Sequence, residues 1–334
     1  MENTTDISEL ATPPAAFKDR STGLTVFGVL TLIFGCFAGL MVPLMIAGQA
    51  AAAKNPNVAP NNGAGILLGA GVYGGLAVAM IWMGIGSIQK RRWARALLLI
   101  FAWCWLVMGI LMTVITPFII SKSLASLPPD VATGRPPMSP DMITGMVIGM
   151  TIFFFVIFVS VPALWVFFYQ SRHVKATCEA RDPVTRWTDA CPLPVLAVSL
   201  LTWVALPMMI LAAMTDLAVM PFFGMLLNGL PATILFVVYA GVWGLGGWWL
   251  YRLEVRGWWL VVAAMLVFMV SSLLTYSHHD MIEVYRLQGL PQAQIDQIQK
   301  MGLFPQNAMN IYMLLSALPA LGYLLFIKKY LRKG

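Results

Sequence analysis

The sequence predicts an all-α membrane protein whose eight transmembrane helices form two parallel four-helix repeats. Three observations predict it: a strongly apolar composition, eight long apolar runs, and landmarks that recur in the same order in both halves. Of the 334 residues, 59% are hydrophobic and 10% are charged, and the mean hydropathy is +0.79. Soluble domains carry about 25% charged residues. The composition therefore leaves no room for a large water-exposed domain.

Eight apolar runs reach the roughly 18 residues that mark a transmembrane helix. The predicted spans are 24–48, 64–88, 94–120, 143–169, 193–214, 226–250, 257–277 and 309–327. None has an Asp, Glu, Lys, Arg or His well inside its apolar core. Ionisable residues at such depth are the usual marks of proton relays and ion pathways. The sequence therefore argues against proton relay, charged-substrate transport and haem ligation within the membrane.

The net charge of +7 arises from 21 Lys and Arg against 14 Asp and Glu. If the N-terminus is cytoplasmic, 16 of these cations fall on inner segments and five on outer ones, which are Lys54, Lys122, Arg135, Arg286 and Lys300. This bias follows the positive-inside rule. It predicts a protein of the cell (bacterial inner) membrane with both termini in the cytoplasm. It also predicts the lipid bilayer, and not nucleic acid, as the partner of the basic residues.

Landmarks in the first half recur in the second. The run GLMVPLMIA around Pro43 matches WVALPMMIL around Pro207, with an offset of 164 residues. QKRRWARALL, which contains Arg92, matches LEVRGWWLVV, which contains Arg256, again at 164. PALWVFFYQ and PALGYLLFI, which begin at Pro162 and Pro319, are offset by 157. Three ordered matches predict a duplicated four-helix unit, and an even number of helices makes both copies enter the membrane in the same direction.

The predicted organisation has four parts. Residues 1–21 form a polar cytoplasmic tail, 22–171 the first repeat, 172–192 a cytoplasmic linker, and 193–334 the second repeat with an outer loop at 278–308. The tail has neither the basic start nor the early apolar run of a signal peptide. In the outer loop, the spacing of Ile295 and Ile298 predicts a short amphipathic helix.

The segment TYSHHDMIE after the seventh span holds the candidates for a divalent metal site: His278, His279, Asp280 and Glu283. Imidazole and carboxylate suit zinc, but adjacent histidines point in opposite directions in an extended chain. A solvated loop start is the simpler interpretation.

The linker offers a second set of metal candidates, His173, Cys178 and Cys191. This set lacks the close cysteine pair of most zinc sites, which favours a mixed-charge linker. No cofactor motif is present, and no cofactor is predicted.

Packing signals differ between the halves. GxxxG spacing, which lets helices approach closely in lipid, occurs only in the first half, at Gly35/Gly39, Gly65/Gly69, Gly71/Gly75 and Gly145/Gly149. The second half instead has aromatic residues beside Arg252 and Arg256: Trp243, Trp248, Trp249, Tyr251, Trp258 and Trp259. This cluster is typical of an interfacial aromatic belt.

The sequence leaves three functional hypotheses open. The favoured one is a non-catalytic membrane component, acting as a scaffold, an assembly subunit or a binder of membrane-protein partners, because the spans lack chemical groups and are rich in packing signals. The alternative is a carrier or channel for a neutral or lipidic solute between the two repeats. The third is a surface enzyme that uses a metal held by His278, His279, Asp280 and Glu283.

Overall fold

The computed structural model describes residues 17–52, 63–125, 139–215, 218–301 and 308–331. Its helices are α1 (Ser21–Ala52), α2 (Gly63–Ile88), α3 (Arg92–Ala125), α4 (Pro140–Phe155), α5 (Val161–Gln170), α6 (Arg172–Arg181), α7 (Leu193–Ala213), α8 (Gly229–Tyr251), α9 (Val255–Tyr276), α10 (Met281–Leu287), α11 (Gln292–Met301) and α12 (Ala308–Ile327). A π-helical turn, Val156–Ser160, joins α4 to α5. Most of the predicted tail and parts of both large outer loops lie outside the described residues.

Eight helical segments in the described part of the chain are long and apolar enough to cross a membrane. They are α1, α2, α3, the continuous segment from α4 through α5, α7, α8, α9 and α12. The prediction of a helical, multi-pass membrane protein with eight spans is confirmed at this level.

The backbones of helices α1 and α2 are in close contact where Gly28 and Gly84 face each other. A Cβ added at Gly28 would lie 2.9 Å from the carbonyl oxygen of Gly84, and a Cβ added at Gly84 would lie 2.9 Å from that of Gly28. Neither glycine belongs to a predicted GxxxG pair. Of those pairs, Gly35 does pack against Ile81 of α2, whereas Gly145 and Gly149 on α4 face open space. Close packing follows from where the helices cross, which glycine spacing alone does not specify.

The core of the first half is tied by a buried polar network. Tyr169 of α5 and Ser87 of α2 are at most 1% exposed, and their hydroxyls lie 2.7 Å apart. The Ser87 hydroxyl donates to the carbonyl of Leu24 in α1 at 2.9 Å. Beside it, the ring of Phe27 stacks on that of Phe168 at 4.2 Å. Because buried polar groups are costly unless paired, this network fixes α1, α2 and α5 relative to one another.

The fourth span contains the π-helical turn, which ends at Ser160, two residues before Pro162. Proline has no N–H, so Pro162 cannot donate to the carbonyl four residues earlier, which belongs to Phe158. That carbonyl faces Gly109 of α3, where an added Cβ would overlap it. By contrast, Pro319 lies within the unbroken helix α12. The landmarks also differ in burial: Pro162 is buried, whereas Pro43, Pro207 and Pro319 are exposed.

The second half has its own apolar core, and α3 extends into it. Ile100 of α3 belongs to the same buried cluster as Val195 and Leu196 of α7. Leu193 and Leu200 of α7 contact this cluster and also the core of the first half. The contact between the halves in the described residues therefore includes an apolar seam formed by α3 and α7.

A β-hairpin occupies the segment where the sixth span was predicted to begin. Strands β1 (Val219–Phe222) and β2 (Met225–Asn228) pair antiparallel, and α8 begins only at Gly229. The start predicted at residue 226 is therefore wrong. The hairpin is itself apolar, and an apolar run does not separate a short buried strand from the first turn of a helix.

The predicted linker is more ordered than a loop. It contains α6 and a short 3-10 turn, Trp187–Asp189. The carbonyl of Trp187 accepts a hydrogen bond from the Tyr251 hydroxyl at 2.8 Å, so the linker contacts the second half. In the outer loop, α11 is the predicted short helix, and its Ile295 is 1% exposed.

Candidate functional site

The first set of metal candidates, His278, His279, Asp280 and Glu283, lies at the start of α10, against the tip of the hairpin. The Asp280 carboxylate caps α10 by accepting a hydrogen bond from the Glu283 amide at 2.9 Å. Three of the four, all but His279, line an open pocket of about 490 Å³ together with Arg286 and Leu287. The structure therefore brings the predicted residues together.

His279 joins α10 to the hairpin. Its Nδ1 lies 2.7 Å from the Glu283 carboxylate, and its Nε2 lies 3.1 Å from the carbonyl oxygen of Gly224. An ionised carboxylate and a carbonyl both only accept, so both ring nitrogens must donate. The hydrogen bond to Glu283 accordingly raises the pKa of His279 above its usual value. When both ring nitrogens donate in this way, His279 has no lone pair to offer a metal ion.

The hairpin tip is held from its other side by hydroxyl groups of α9. The amide of Phe223 donates to the Ser271 hydroxyl at 2.9 Å, and the amide of Gly224 donates to the Thr275 hydroxyl at 3.0 Å. Ser271 in turn donates to the carbonyl of Pro221 at 2.9 Å. Positive φ angles at Phe223 and Gly224, 42° and 94°, fit the two central residues of a type I′ turn. These bonds and the contact of His279 with Gly224 hold the hairpin tip against α9 and α10.

The second set of metal candidates is not brought together in a metal site. Cys178 and Cys191 are buried in different apolar clusters, and burial raises the pKa of each thiol to about 11. Both are therefore protonated thiols at neutral pH, whereas metal binding and nucleophilic attack require the thiolate. Across residues 17–52, 63–125, 139–215, 218–301 and 308–331, no group of three or more His, Cys, Asp or Glu could hold a metal ion.

A buried carboxylate at the opposite end of the bundle is a feature that the sequence analysis did not single out. Asp182, whose side chain is 2% exposed, lies 2.9 Å from the Arg186 guanidinium and 3.6 Å from that of Arg91. It also accepts a hydrogen bond from the Arg92 amide at 3.3 Å. The bond from Arg186 is the main reason that the pKa of Asp182 lies below its usual value.

Further ion pairs surround Asp182. The Arg92 guanidinium contacts Glu179 at 3.7 Å and Asp189 at 3.4 Å. We call Asp182, Arg91, Arg92, Arg186, Glu179 and Asp189 the Asp182 cluster. It clamps the α2–α3 turn to α6 and the rest of the linker. The sequence does carry a signal for this cluster. Residues 90–95 are rich in basic residues, and residues 179–189 contain the three acidic residues of the cluster.

Comparison of the chain with family models, with curated proteins and with solved structures finds no match.

Proposed function

We propose that the protein is a non-catalytic membrane component that acts as a scaffold or assembly subunit for other membrane proteins. The apolar seam between α3 and α7 carries this proposal. Leu193 and Leu200 of α7 contact the cores of both halves, and Ile100 crosses into the second core. A transport pathway at the same place would need polar groups or open space. The first set of metal candidates further supports the proposal, because His279 is engaged on both nitrogens.

Cysteine labelling across the seam tests the proposal. In a variant whose four native cysteines are replaced, single cysteines are introduced at Ile100, Leu196 and Leu200 of the seam, together with a water-exposed control at His278. A membrane-impermeant methanethiosulfonate reagent reacts only with thiols that water reaches. We expect modification of the control and none along the seam, from either side of the membrane. A continuous series of modified positions would contradict a filled seam.

Partner binding is tested by purification in a mild detergent that retains native lipids and complexes. A membrane-protein partner that cross-links to defined positions of this chain and recurs in reciprocal purifications supports the scaffold function. A specifically retained small molecule without a protein partner would instead favour transport.

One observation favours the alternative, a carrier for a neutral or lipidic solute. π-helical turns often occur at functional sites, and the one before Pro162 lies against Gly109 in the neighbouring helix. Such a turn is a place where the fourth span could bend during transport. Liposomes with the purified protein should then release a neutral solute faster than empty liposomes. Equal release across a broad panel of solutes would remove this alternative.

We further propose that the two halves are duplicated four-helix units with the same orientation. The turns after α2 and α8 support this, because they share one hydrogen-bond pattern. Lys90 and Leu253 both have a positive φ, 58° and 62°, and in each turn the next amide bonds back five residues, Arg91 to Gly86 and Glu254 to Trp249. This is the Schellman pattern of helix ends. The turns are offset by 163 residues, close to the 164 of the nearby arginines.

The basic bias of the predicted inner segments supports a location in the cell (inner) membrane with cytoplasmic termini. Reporter fusions to both termini test this orientation. Both should report the cytoplasmic side, and opposite sides would exclude two four-helix units that face the same way.

A further inference from the structure

A second group of cations lies at the same end of the bundle as the Asp182 cluster, in the second half. Lys328 follows α12, and its Nζ lies 4.4 Å from the ring centre of Trp258 and 5.0 Å from that of Trp259. Lys329 lies 4.0 Å from the ring centre of Phe326. The Arg252 guanidinium lies 4.9 Å from the ring centre of Trp248, and that of Arg256 lies 4.8 Å from the ring centre of Trp249. We call Arg252, Arg256, Lys328 and Lys329, with the rings of Trp248, Trp249, Trp258 and Trp259, the stacked basic patch.

The platform beneath Lys328 is rigid. Trp258 is 3% exposed, and its indole N–H donates to the carbonyl of Leu324 in α12 at 2.6 Å. This bond ties the start of α9 to the end of α12 and fixes the ring on which the ammonium rests. A cation that stacks on a ring keeps N–H donors free on the side away from the ring. The patch therefore presents donors on a preorganised surface.

Internal carboxylates leave the stacked basic patch largely unneutralised. Glu254 pairs with Arg256 and is close enough to Arg252 for that charge to help lower its pKa, though its bond to Arg256 is the larger cause. In the described part of the chain no carboxylate lies within 4.0 Å of Lys328 or Lys329. In the described residues, the four basic residues of the patch thus have one carboxylate beside them, that of Glu254. In the Asp182 cluster, by contrast, three arginines meet three acids.

The surroundings of the patch identify the class of anion that fits it. Trp259 is 57% exposed and Leu325 is 64% exposed, so the cations sit beside apolar surface that acyl chains can cover. Exposed tryptophan at a helix end is typical of the headgroup level of a bilayer, and basic residues at that level attract anionic lipid. A soluble anion would satisfy the charges but leave this apolar surface uncovered.

We propose that the stacked basic patch binds the phosphate of an anionic phospholipid, with Lys328 and Lys329 as the main donors and Trp259 in contact with the acyl region. The site does not depend on whether the protein is a scaffold or a carrier. It is a defined binding site, which differs from a general attraction of basic residues to a charged membrane surface. It assigns lipid binding to the second half, whereas Arg91, Arg92 and Arg186 of the Asp182 cluster are already paired with carboxylates.

Native mass spectrometry of delipidated protein in a neutral detergent tests the site, with phosphatidylglycerol and phosphatidylcholine as probes. The variant Lys328→Gln/Lys329→Gln is compared with Lys175→Gln/Arg181→Gln, which removes the same charge from cations paired with Glu179 and Asp19. At roughly a factor of five for each basic residue, we expect phosphatidylglycerol affinity to fall about 25-fold in the first variant and less than about twofold in the control.

Three results would overturn the proposal. Equal losses in both variants would show that only net charge matters. Equal affinity of the wild type for the two lipids would exclude selection of an anionic headgroup. Displacement of phosphatidylglycerol by millimolar inorganic phosphate would identify a site for a soluble anion.

Two further measurements keep the test decisive if the double variant folds poorly. In the wild type, about 0.5 M NaCl should release phosphatidylglycerol, because salt screens exposed charges. The variant Trp259→Leu, which keeps every charge but removes an exposed ring, should weaken binding, and Trp259→Phe should restore most of it. Insensitivity to both salt and the ring would contradict the proposal.

Discussion

The two halves of the molecule are held by charges of opposite sign at opposite ends of the bundle. In the first half, a buried anion, Asp182, collects the cations of the α2–α3 turn and the linker. In the second half, a cation, His279, lies between the Glu283 carboxylate and the Gly224 carbonyl and holds the hairpin. Two halves that share a turn geometry therefore depend on different electrostatic contacts.

This difference predicts opposite responses to pH. The folded pKa of Asp182 lies below the ordinary 3.8, so its contribution is complete above about pH 3.8 and is lost as pH falls through the folded value. The folded pKa of His279 lies above the ordinary 6.5. Its contribution is complete below about pH 6.5 and is lost as pH rises through the folded value. A fall in pH should therefore weaken the contacts of Asp182, and a rise in pH should weaken those of His279.

The largest expected effect concerns the contact between α3 and the π-helical turn, a feature that the described residues of the second half lack. In Gly109→Ala the new methyl group would overlap the Phe158 carbonyl, and the helix backbone would have to move. Overpacking of this kind costs about 3 kcal/mol. Unfolding in detergent, followed by circular dichroism, should show this loss in the free energy of unfolding.

The matched control is Gly149→Ala on α4, where an added Cβ meets open space. Alanine favours a helix over glycine by up to about 1 kcal/mol, so this variant should be no less stable than the wild type. A similar loss in both variants would mean that glycine is needed for helix flexibility and not for the contact with the π-helical turn.

The second effect comes from removal of the buried anion. Asp182→Asn keeps the shape but leaves Arg91 and Arg186 without their shared carboxylate. Hydrogen bonds to charged groups contribute about 2 kcal/mol, and we expect a loss of this size in unfolding free energy at neutral pH. The difference from wild type should shrink as the pH falls through the folded pKa of Asp182.

Glu179→Gln provides the control for the Asp182 cluster. The Glu179 side chain is 42% exposed, and exposed ion pairs contribute less than about 1 kcal/mol. A loss as large as that of Asp182→Asn would show that the position of the charge within the cluster does not matter.

The third effect sharpens the comparison at the other end. Above the folded pKa of His279, the amides of Phe223 and Gly224 should lose protection from hydrogen exchange by about threefold. The reason for this size is that the ion pair between His279 and Glu283 is partly exposed and contributes ~0.6 kcal/mol. Asp280 and Glu283 favour the imidazolium, while Arg286 lines the same pocket. His279→Gln should abolish the pH dependence, and His278→Gln should retain it. Unchanged pH dependence in His279→Gln would contradict the role of His279 in holding the hairpin.

The sequence predicts the spans well because hydrophobic length is a local property. The predicted amphipathic helix in the outer loop also appears, as α11. What the sequence analysis missed depends on contacts between distant residues. Asp182 pairs with Arg91 across 91 positions and accepts a hydrogen bond from the Arg92 amide across 90. The sequence did not predict the hairpin, because its strands are as apolar as the helices beside it.

The π-helical turn illustrates the same limit. Pro162 and Pro319 begin nearly the same sequence phrase, yet only Pro162 follows a π-helical turn. The Phe158 carbonyl, to which Pro162 cannot donate, faces Gly109 of α3. Because this contact involves a different helix, the repeated sequence alone could not predict the difference.

The smallest expected effect tests whether the two halves share the turn after their second span. Lys90 and Leu253 hold a left-handed conformation that costs a non-glycine residue about 1 kcal/mol, so Lys90→Gly should raise the unfolding free energy by ~0.5 kcal/mol, after allowance for the greater freedom of glycine in the unfolded chain. Leu253 also packs against the second core, and Leu253→Gly should therefore show no net gain. If Lys90→Gly is destabilising, the Lys90 side chain contributes more than its strain costs, and the resemblance of the two turns is limited to their backbone.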